Sequence, residues 1–171
     1  MRDMLIMGLV ALVAIVAGVL FFLSDLSGSP DTLANVSAQA VTTAAAPAQF
    51  VELSRGTQSM ETRRVNYLIS STADLAKLWK LIDAGGQSPA VDFATRSVIA
   101  VFAGTKPTTG YDISVTGVED GDTRVVTITL SSPDSTCLLG ESLTSPYQII
   151  ELPKTALSLE HKNVSTTTNC L

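Results

Sequence analysis

The chain has 171 residues, of which 46% are hydrophobic, and its formal net charge at neutral pH is −5. An acidic chain lacks the clustered Lys and Arg side chains that neutralise phosphates, which argues against a nucleic-acid partner. The mean hydropathy of +0.33 is high for a soluble protein, and the apolar excess lies at the amino terminus.

Residues 4–23 carry no charged side chain and match the length of about 20 residues that a helix needs to cross a membrane. Residues 1–3, which include Arg2, are predicted to form a short cytoplasmic amino terminus, because segments on the cytoplasmic side of a membrane span carry an excess of Lys and Arg. The sequence therefore predicts a single-pass cell-membrane protein whose domain faces the periplasm or the cell exterior. A cleaved signal sequence is the alternative.

Residues 24–49 are rich in Ser, Thr, Ala and Pro and predict a flexible linker. Residues 50–171 are then long enough for one extracytoplasmic domain with its own core. Apolar or alternating runs predict strands at residues 50–53, 64–69, 97–103, 112–118, 124–130, 147–152 and 157–160. Residues 119–122 predict the turn of a hairpin between the fourth and fifth of these strands.

One amphipathic helix is predicted after the second strand. Ser71 or Thr72 can cap it, and residues 85–86, both glycine, are expected to end it. Leu75, Leu78, Trp79 and Ile82 recur at helical spacing and line one face, with Trp79 anchoring the helix on a sheet. The predicted class is α+β, a mostly antiparallel β-sheet or open barrel with one packed helix.

The segment from Gly104 to Tyr111 contains more Pro, Gly and Thr than a strand or a minimal hairpin needs. Pro107 fixes its own φ, and Gly110 permits a positive φ. We expect this segment to be a loop that contacts a partner, with Pro146 and Tyr147 close by. The predicted contact residues are Lys106, Pro107, Thr108, Thr109, Gly110, Tyr111, Pro146 and Tyr147. The alternative is a wide hairpin whose Tyr111 folds back onto the core.

No catalytic or metal-binding constellation is visible, so no enzyme activity, cofactor or metal is predicted. His161 is the single histidine and is expected to lie solvated at a strand end. The sequence contains two cysteines, Cys137 and Cys170. An even number in a chain predicted to be exported favours a disulfide over a redox or catalytic cysteine. Closing a loop of about 30 residues would stabilise the domain by roughly 3–4 kcal/mol.

Four segments, in order along the chain, carry a family resemblance. They are residues 71–79 with Leu78 and Trp79, residues 91–93 with the apolar strand that follows, residues 104–111, and residues 143–154. Together they resemble the carboxyl-terminal domain family of the protease complex subunit PrcB. The sequence departs from the family pattern at Thr109, where Gly is more usual. The resemblance implies an exported accessory domain, which in at least one family member is associated with a protease complex, and it does not imply catalysis. The partner expected for this chain is an exported protein, with a protease as the candidate.

Residues 107–111 are also similar to the loop of chagasin-type inhibitors that enters the cleft of papain-like proteases. Those inhibitors use two further loops, and the nearest match to the third is Ser145, Pro146 and Tyr147, with Ser145 in place of Arg. The function predicted is a membrane-anchored binding module that scaffolds or stabilises a partner protein. The alternative is a loop-based protease inhibitor or regulator.

Overall fold

The computed structural model describes residues 45–82 and 85–169. The predicted membrane helix at residues 4–23, nearly all of the predicted linker and Cys170 lie outside the described residues. Within the described ranges, no helix is long and apolar enough to cross a membrane. The membrane anchor therefore stays a prediction.

The described chain forms eight strands and one short helix, so the prediction of a mostly β fold with one helix is confirmed. In chain order they are β1 (Ala46–Pro47), β2 (Val51–Gly56), β3 (Val65–Ile69), α1 (Thr72–Trp79), β4 (Arg96–Phe102), β5 (Asp112–Asp120), β6 (Arg124–Pro133), β7 (Tyr147–Pro153) and β8 (Leu159–Thr168). The strands form two four-stranded sheets. We call β2-β7-β4-β3 the central sheet and β1-β5-β6-β8 the outer sheet.

The middle strands of the central sheet, β4 and β7, are buried on both faces. Alternate residues of a strand point to opposite faces. Accordingly, Val98, Ala100 and Phe102 join the hydrophobic cluster that contains the α1 side chains, whereas Ile99 and Val101 join the cluster shared with the outer sheet. This double burial explains why β4 reads as a continuous apolar run instead of an alternating one.

Helix α1 lies on the face of the central sheet away from the outer sheet. Ser71 caps it by accepting a hydrogen bond of 3.2 Å from the Asp74 backbone N–H. Leu75 and Leu78 are 0% and 4% exposed, so the predicted apolar face is the one that packs. The helix ends at Trp79, earlier than predicted, in a tight turn in which the Leu81 N–H donates to the Leu78 carbonyl at 2.9 Å.

The outer sheet contains the predicted hairpin, because β5 and β6 pair antiparallel through a short turn. Val126 and Ile128 face the core, while Thr127 and Thr129 lie on the opposite face. The strands pair mostly antiparallel, as predicted, but they are divided between two sheets, and β8 runs parallel to β6. After β6 the chain leaves the outer sheet, passes through β7 in the central sheet, and returns to the outer sheet as β8, which runs in the same direction as β6. The last strand is also longer than the predicted residues 157–160.

A buried glutamine connects the two sheets. Gln148 on β7 is 3% exposed, and its Oε1 accepts a hydrogen bond of 2.6 Å from the backbone N–H of Val115 on β5. Val115 adjoins a β-bulge, where a backbone N–H needs a partner outside the regular ladder. The Gln148 amide donates in turn to Glu52 on β2. This hydrogen bond lowers the pKa of Glu52, and the neighbouring Arg55 adds to the effect.

A buried arginine holds the turn end of the β5–β6 hairpin. Arg124 is 4% exposed, and its Nε and Nη2 donate to the two carboxylate oxygens of Asp120, both at 2.6 Å. Its Nη1 donates to the Pro153 carbonyl at the end of β7. The charge is therefore both paired and hydrogen-bonded, which is the condition under which a protein tolerates burial of a guanidinium.

Replacing Asp120→Asn should destabilise the domain by about 2 kcal/mol at pH 7, because it leaves the buried Arg124 guanidinium without its counter-charge. The Asp120 side chain is itself only partly exposed to water, so solvent screens the ion pair weakly. Arg124 lowers the pKa of Asp120 below its usual value. The ion pair thus stabilises the folded chain fully above about 3.9, the pKa of an aspartate in the unfolded chain. This stabilisation is lost as the pH falls through the lower pKa of Asp120 in the folded chain. The gap between wild type and variant should accordingly shrink in acid.

Denaturant unfolding at pH 7 and pH 3 measures this difference. Glu119→Gln is the matched control, since it removes one negative charge from an exposed position next to Asp120 on the same strand. Equal unfolding midpoints for the two variants at pH 7 would show that the pair contributes nothing specific.

Candidate functional site

The predicted contact loop joins the two sheets. Residues 103–111, here called the crossover loop, lead from the end of β4 in the central sheet to the start of β5 in the outer sheet. Strands joined by a hairpin would pair with each other, and these two do not. The loop is therefore not a hairpin, and Tyr111, which that alternative folded onto the core, is half-buried.

One side of the crossover loop is fixed to residues 57–64. The Thr105 N–H donates to the Thr62 carbonyl at 3.0 Å. Gly104 adopts a φ of +70°, and a Cβ at this position would lie 2.8 Å from the Thr62 carbonyl oxygen and from the Arg64 backbone nitrogen. Two constraints therefore require glycine at position 104. The backbone is left-handed, and the backbone of residues 62–64 approaches too closely to leave room for a Cβ.

The other side is fixed to residues 134–146, here called the facing loop. Lys106 and Thr144 exchange two backbone hydrogen bonds, of 2.7 and 3.0 Å, and the Thr144 hydroxyl donates to the Thr108 carbonyl at 2.9 Å. The Thr109 hydroxyl accepts from the Gly140 N–H at 3.0 Å, and the Thr109 N–H donates to the Gly140 carbonyl at 3.1 Å. The departure from the family pattern at Thr109 thus has a structural role, because its hydroxyl holds the facing loop.

The tip of the crossover loop is accessible. Pro107, Thr109 and Gly110 are exposed, while Thr108 and Tyr111 are half-buried. The half-buried Lys106 places its ammonium group 5.8 Å from the centre of the Tyr111 ring, within the range of a cation–π contact. This contact and the backbone bonds on both flanks give the loop a defined shape.

Two predicted contact residues lie inside the molecule instead. Pro146 is fully buried, and Tyr147 is 5% exposed. The Tyr147 ring stacks on Phe102 with 6.1 Å between ring centres, and its hydroxyl lies 3.2 Å from the Ser54 hydroxyl. Pro146 and Tyr147 stabilise the core and offer no surface to a partner. Residues 145–147, the nearest match to the third loop of a chagasin-type inhibitor, are consequently not exposed.

The facing loop contributes two side chains that the sequence reasoning missed. Leu138 is 103% exposed and Leu143 is 67% exposed. Both stand in a segment without strand periodicity between β6 and β7, and apolar residues in such a segment are the signal that could have identified them. We call the crossover loop and the facing loop together the loop end of the domain. It presents leucines, hydroxyls and one aromatic ring.

His161 is exposed and lies within β8, not at its end. Among the described residues, no three His, Cys, Asp or Glu side chains are grouped so that they could hold a metal ion. Cys137 lies on the facing loop, and its Sγ is 3.8 Å from the carbonyl oxygen of Thr168, two residues before Cys170. The disulfide stays a prediction, because Cys170 is outside the described residues.

The match to a known family falls on the part of the chain that builds the loop end. Residues 97–153 match the PrcB C-terminal family. The predicted resemblance is thus confirmed over about a third of the chain. The PrcB C-terminal segment runs from β4 to the end of β7 and contains both loops of the loop end. No curated protein and no solved structure gives a significant match to the chain.

Gly104→Ala should destabilise the domain by roughly 2–4 kcal/mol, because the new Cβ adds a backbone overlap to the cost of a left-handed alanine. Gly86→Ala is the matched control, since Gly86 has a similar φ of +74° but no heavy atom within 4 Å of an added Cβ. Its cost should be about 1 kcal/mol. Thermal and denaturant unfolding measure both costs. Equal losses of unfolding free energy in the two variants would mean that the backbone of residues 62–64 moves away from the new Cβ at no cost.

The Cys137–Cys170 bridge is tested by intact mass spectrometry of the unreduced chain. We expect reduction to add the mass of two hydrogens and to expose two thiols to alkylation, as opening one disulfide requires. Cys137→Ser should abolish this mass difference. Two alkylated cysteines in the unreduced wild-type chain would disprove the bridge.

Proposed function

We propose that the protein is a membrane-anchored, extracytoplasmic accessory module that binds an exported partner protein through its loop end. The observation that carries this proposal is a loop fixed on both flanks beside two exposed leucines, Leu138 and Leu143. The uncharged run at residues 4–23 supports the anchor and the outward location.

The loop end has the physical properties of a protein-binding surface. Its hydrogen bonds hold the crossover loop in one shape before binding, so little conformational entropy remains to be lost on association. Side chains as exposed as Leu138 leave apolar area in water that a partner can cover. Tyr111 adds an aromatic ring of the kind that is enriched among the residues that dominate binding energy.

The family match supports the same role and narrows the class of partner. The PrcB C-terminal segment includes both loops, so the family pattern and the proposed contact surface coincide. The name of the family points to a protease complex. We therefore propose that the partner is an exported protease or another subunit of a protease complex, and that this chain scaffolds or stabilises it.

The partner can be captured from native membranes with the full chain. A photoreactive residue at Leu138 should crosslink one dominant exported protein, whereas the same residue at Lys77, an exposed position on α1, should not. Capture of the same proteins from both positions would show that the loop end has no specific partner.

Leu138→Asp and Leu143→Asp should each weaken binding of the captured partner by about tenfold or more, because a carboxylate would be desolvated in an apolar contact. Leu68→Asp is the matched control, since Leu68 is an apolar side chain on the edge strand β3 that is 55% exposed. It should leave binding unchanged. Titration of the purified partner, with unfolding curves for each variant, separates lost binding from lost folding. Unchanged affinity in both loop variants would refute the proposed surface.

A further inference from the structure

Strand β8 forms one edge of the outer sheet. Its ten residues pair with β6 in a continuous parallel register without a bulge, and no described strand pairs with its other side. Eight of its ten side chains are exposed. From Val164 to Thr168 it has no charge, no Pro and no Gly, and it is rich in β-branched residues. Such an edge presents a row of backbone donors and acceptors ready for another strand.

The other sheet edges of the described residues are short or irregular. Strand β1 has only two residues, one of which is Pro47, and β3 has only five. Strand β2 is interrupted by a bulge between Glu52 and Ser54. Short length, proline and bulges are the features by which proteins prevent strands from adding to an edge. Among these edges of the described sheets, β8 is the one that is long, free of bulges and unpaired on its other side.

The side chains of β8 are compatible with a second copy of the same strand. In an antiparallel pair, residues directly opposite each other lie on the same face of the sheet. A two-fold axis at Val164 places Glu160 opposite Thr168 of the partner subunit and Lys162 opposite Thr166 of the partner subunit. No like charges oppose each other, and Val164 meets its own counterpart on the face that carries Thr129.

A foreign strand is a poorer fit than a second copy. Recognition of a specific foreign strand at a sheet edge uses pockets for its alternate side chains. On the outer face, which is the face of the outer sheet that points away from the core, the neighbours of β8 are the short β6 side chains of Thr127, Thr129 and Ser131. Pairing with a second copy needs only the backbone edge and the two-fold register.

We propose that two copies of this chain associate through antiparallel pairing of their β8 strands about Val164, which joins the two outer sheets into one. The Asp134 N–H donates to the Thr168 carbonyl at 3.0 Å, so the carboxyl end of β8 lies beside the facing loop. The antiparallel pairing consequently places the two loop ends at opposite ends of the joined sheet. Both loop ends stay open to a partner, and the dimer does not depend on the proposed function.

Charge substitution at the two-fold axis tests the pairing in the full chain, purified in detergent. Val164 is half-buried on the outer face and is absent from the packed clusters. Val164→Lys and Val164→Glu should each shift the chain to monomer in sedimentation equilibrium, with at least a tenfold weaker dimer, because like charges then meet at the axis. Mixing the two variants should restore a one-to-one heterodimer. A wild-type chain that is monomeric at tens of micromolar overturns the proposal.

Cysteine crosslinking in membranes checks the register independently. Val164→Cys should form a disulfide-linked dimer on mild oxidation, above any background that wild type shows through its own cysteines. Thr168→Cys should not exceed that background, because the two residues 168 would lie about 26 Å apart at roughly 3.3 Å per residue. Equal crosslinking at both positions, or none at Val164→Cys, overturns this pairing. Leu138→Asp should leave the dimer intact, which separates this result from the binding test of the loop end.

Discussion

The burial of both faces of β4 and β7 is the constraint on which the rest of the fold depends. A strand that is apolar on both sides needs a cover on each side. Helix α1 covers one face of the central sheet through Leu75 and Leu78, and the outer sheet covers the other through Ile113 and Ile128. The three layers therefore follow from two short strands that are buried on both faces.

Two of the buried polar side chains make hydrogen bonds at points where the strand ladder ends or breaks. Gln148 satisfies the backbone N–H of Val115 beside the bulge of β5, and Arg124 pairs with Asp120 and binds the end of β7. A buried polar group without a partner costs more free energy than a net hydrogen bond contributes, and a charged group costs the most. These two groups therefore favour one relative placement of the two sheets, which apolar packing alone specifies less sharply.

The sequence predicted most of the elements but not their assembly, and β1 lies in the predicted linker. Strand periodicity, the Ser71 cap and the residue 119–122 turn all describe local physics, and the structure agrees with them. A period of two does not say which sheet a strand joins, so the two sheets and the parallel β6–β8 pair were not predicted. The same limit applies to the loop end. Pro107 and Gly110 marked a loop, but only packing showed that Tyr147 is buried and Leu138 is exposed.

The register of the central sheet explains why two loops distant in sequence form one surface. Phe102, the last residue of β4, lies opposite Tyr147, the first residue of β7. The segment that follows β4 and the segment that precedes β7 must therefore run side by side. Lys106 and Thr144 continue this pairing beyond the strands as an isolated antiparallel bridge. The stacked rings of Phe102 and Tyr147 stabilise the same register from within the core. Core packing and the shape of the loop end are thus set by one pair of strands, and any change that shifts this register would alter both.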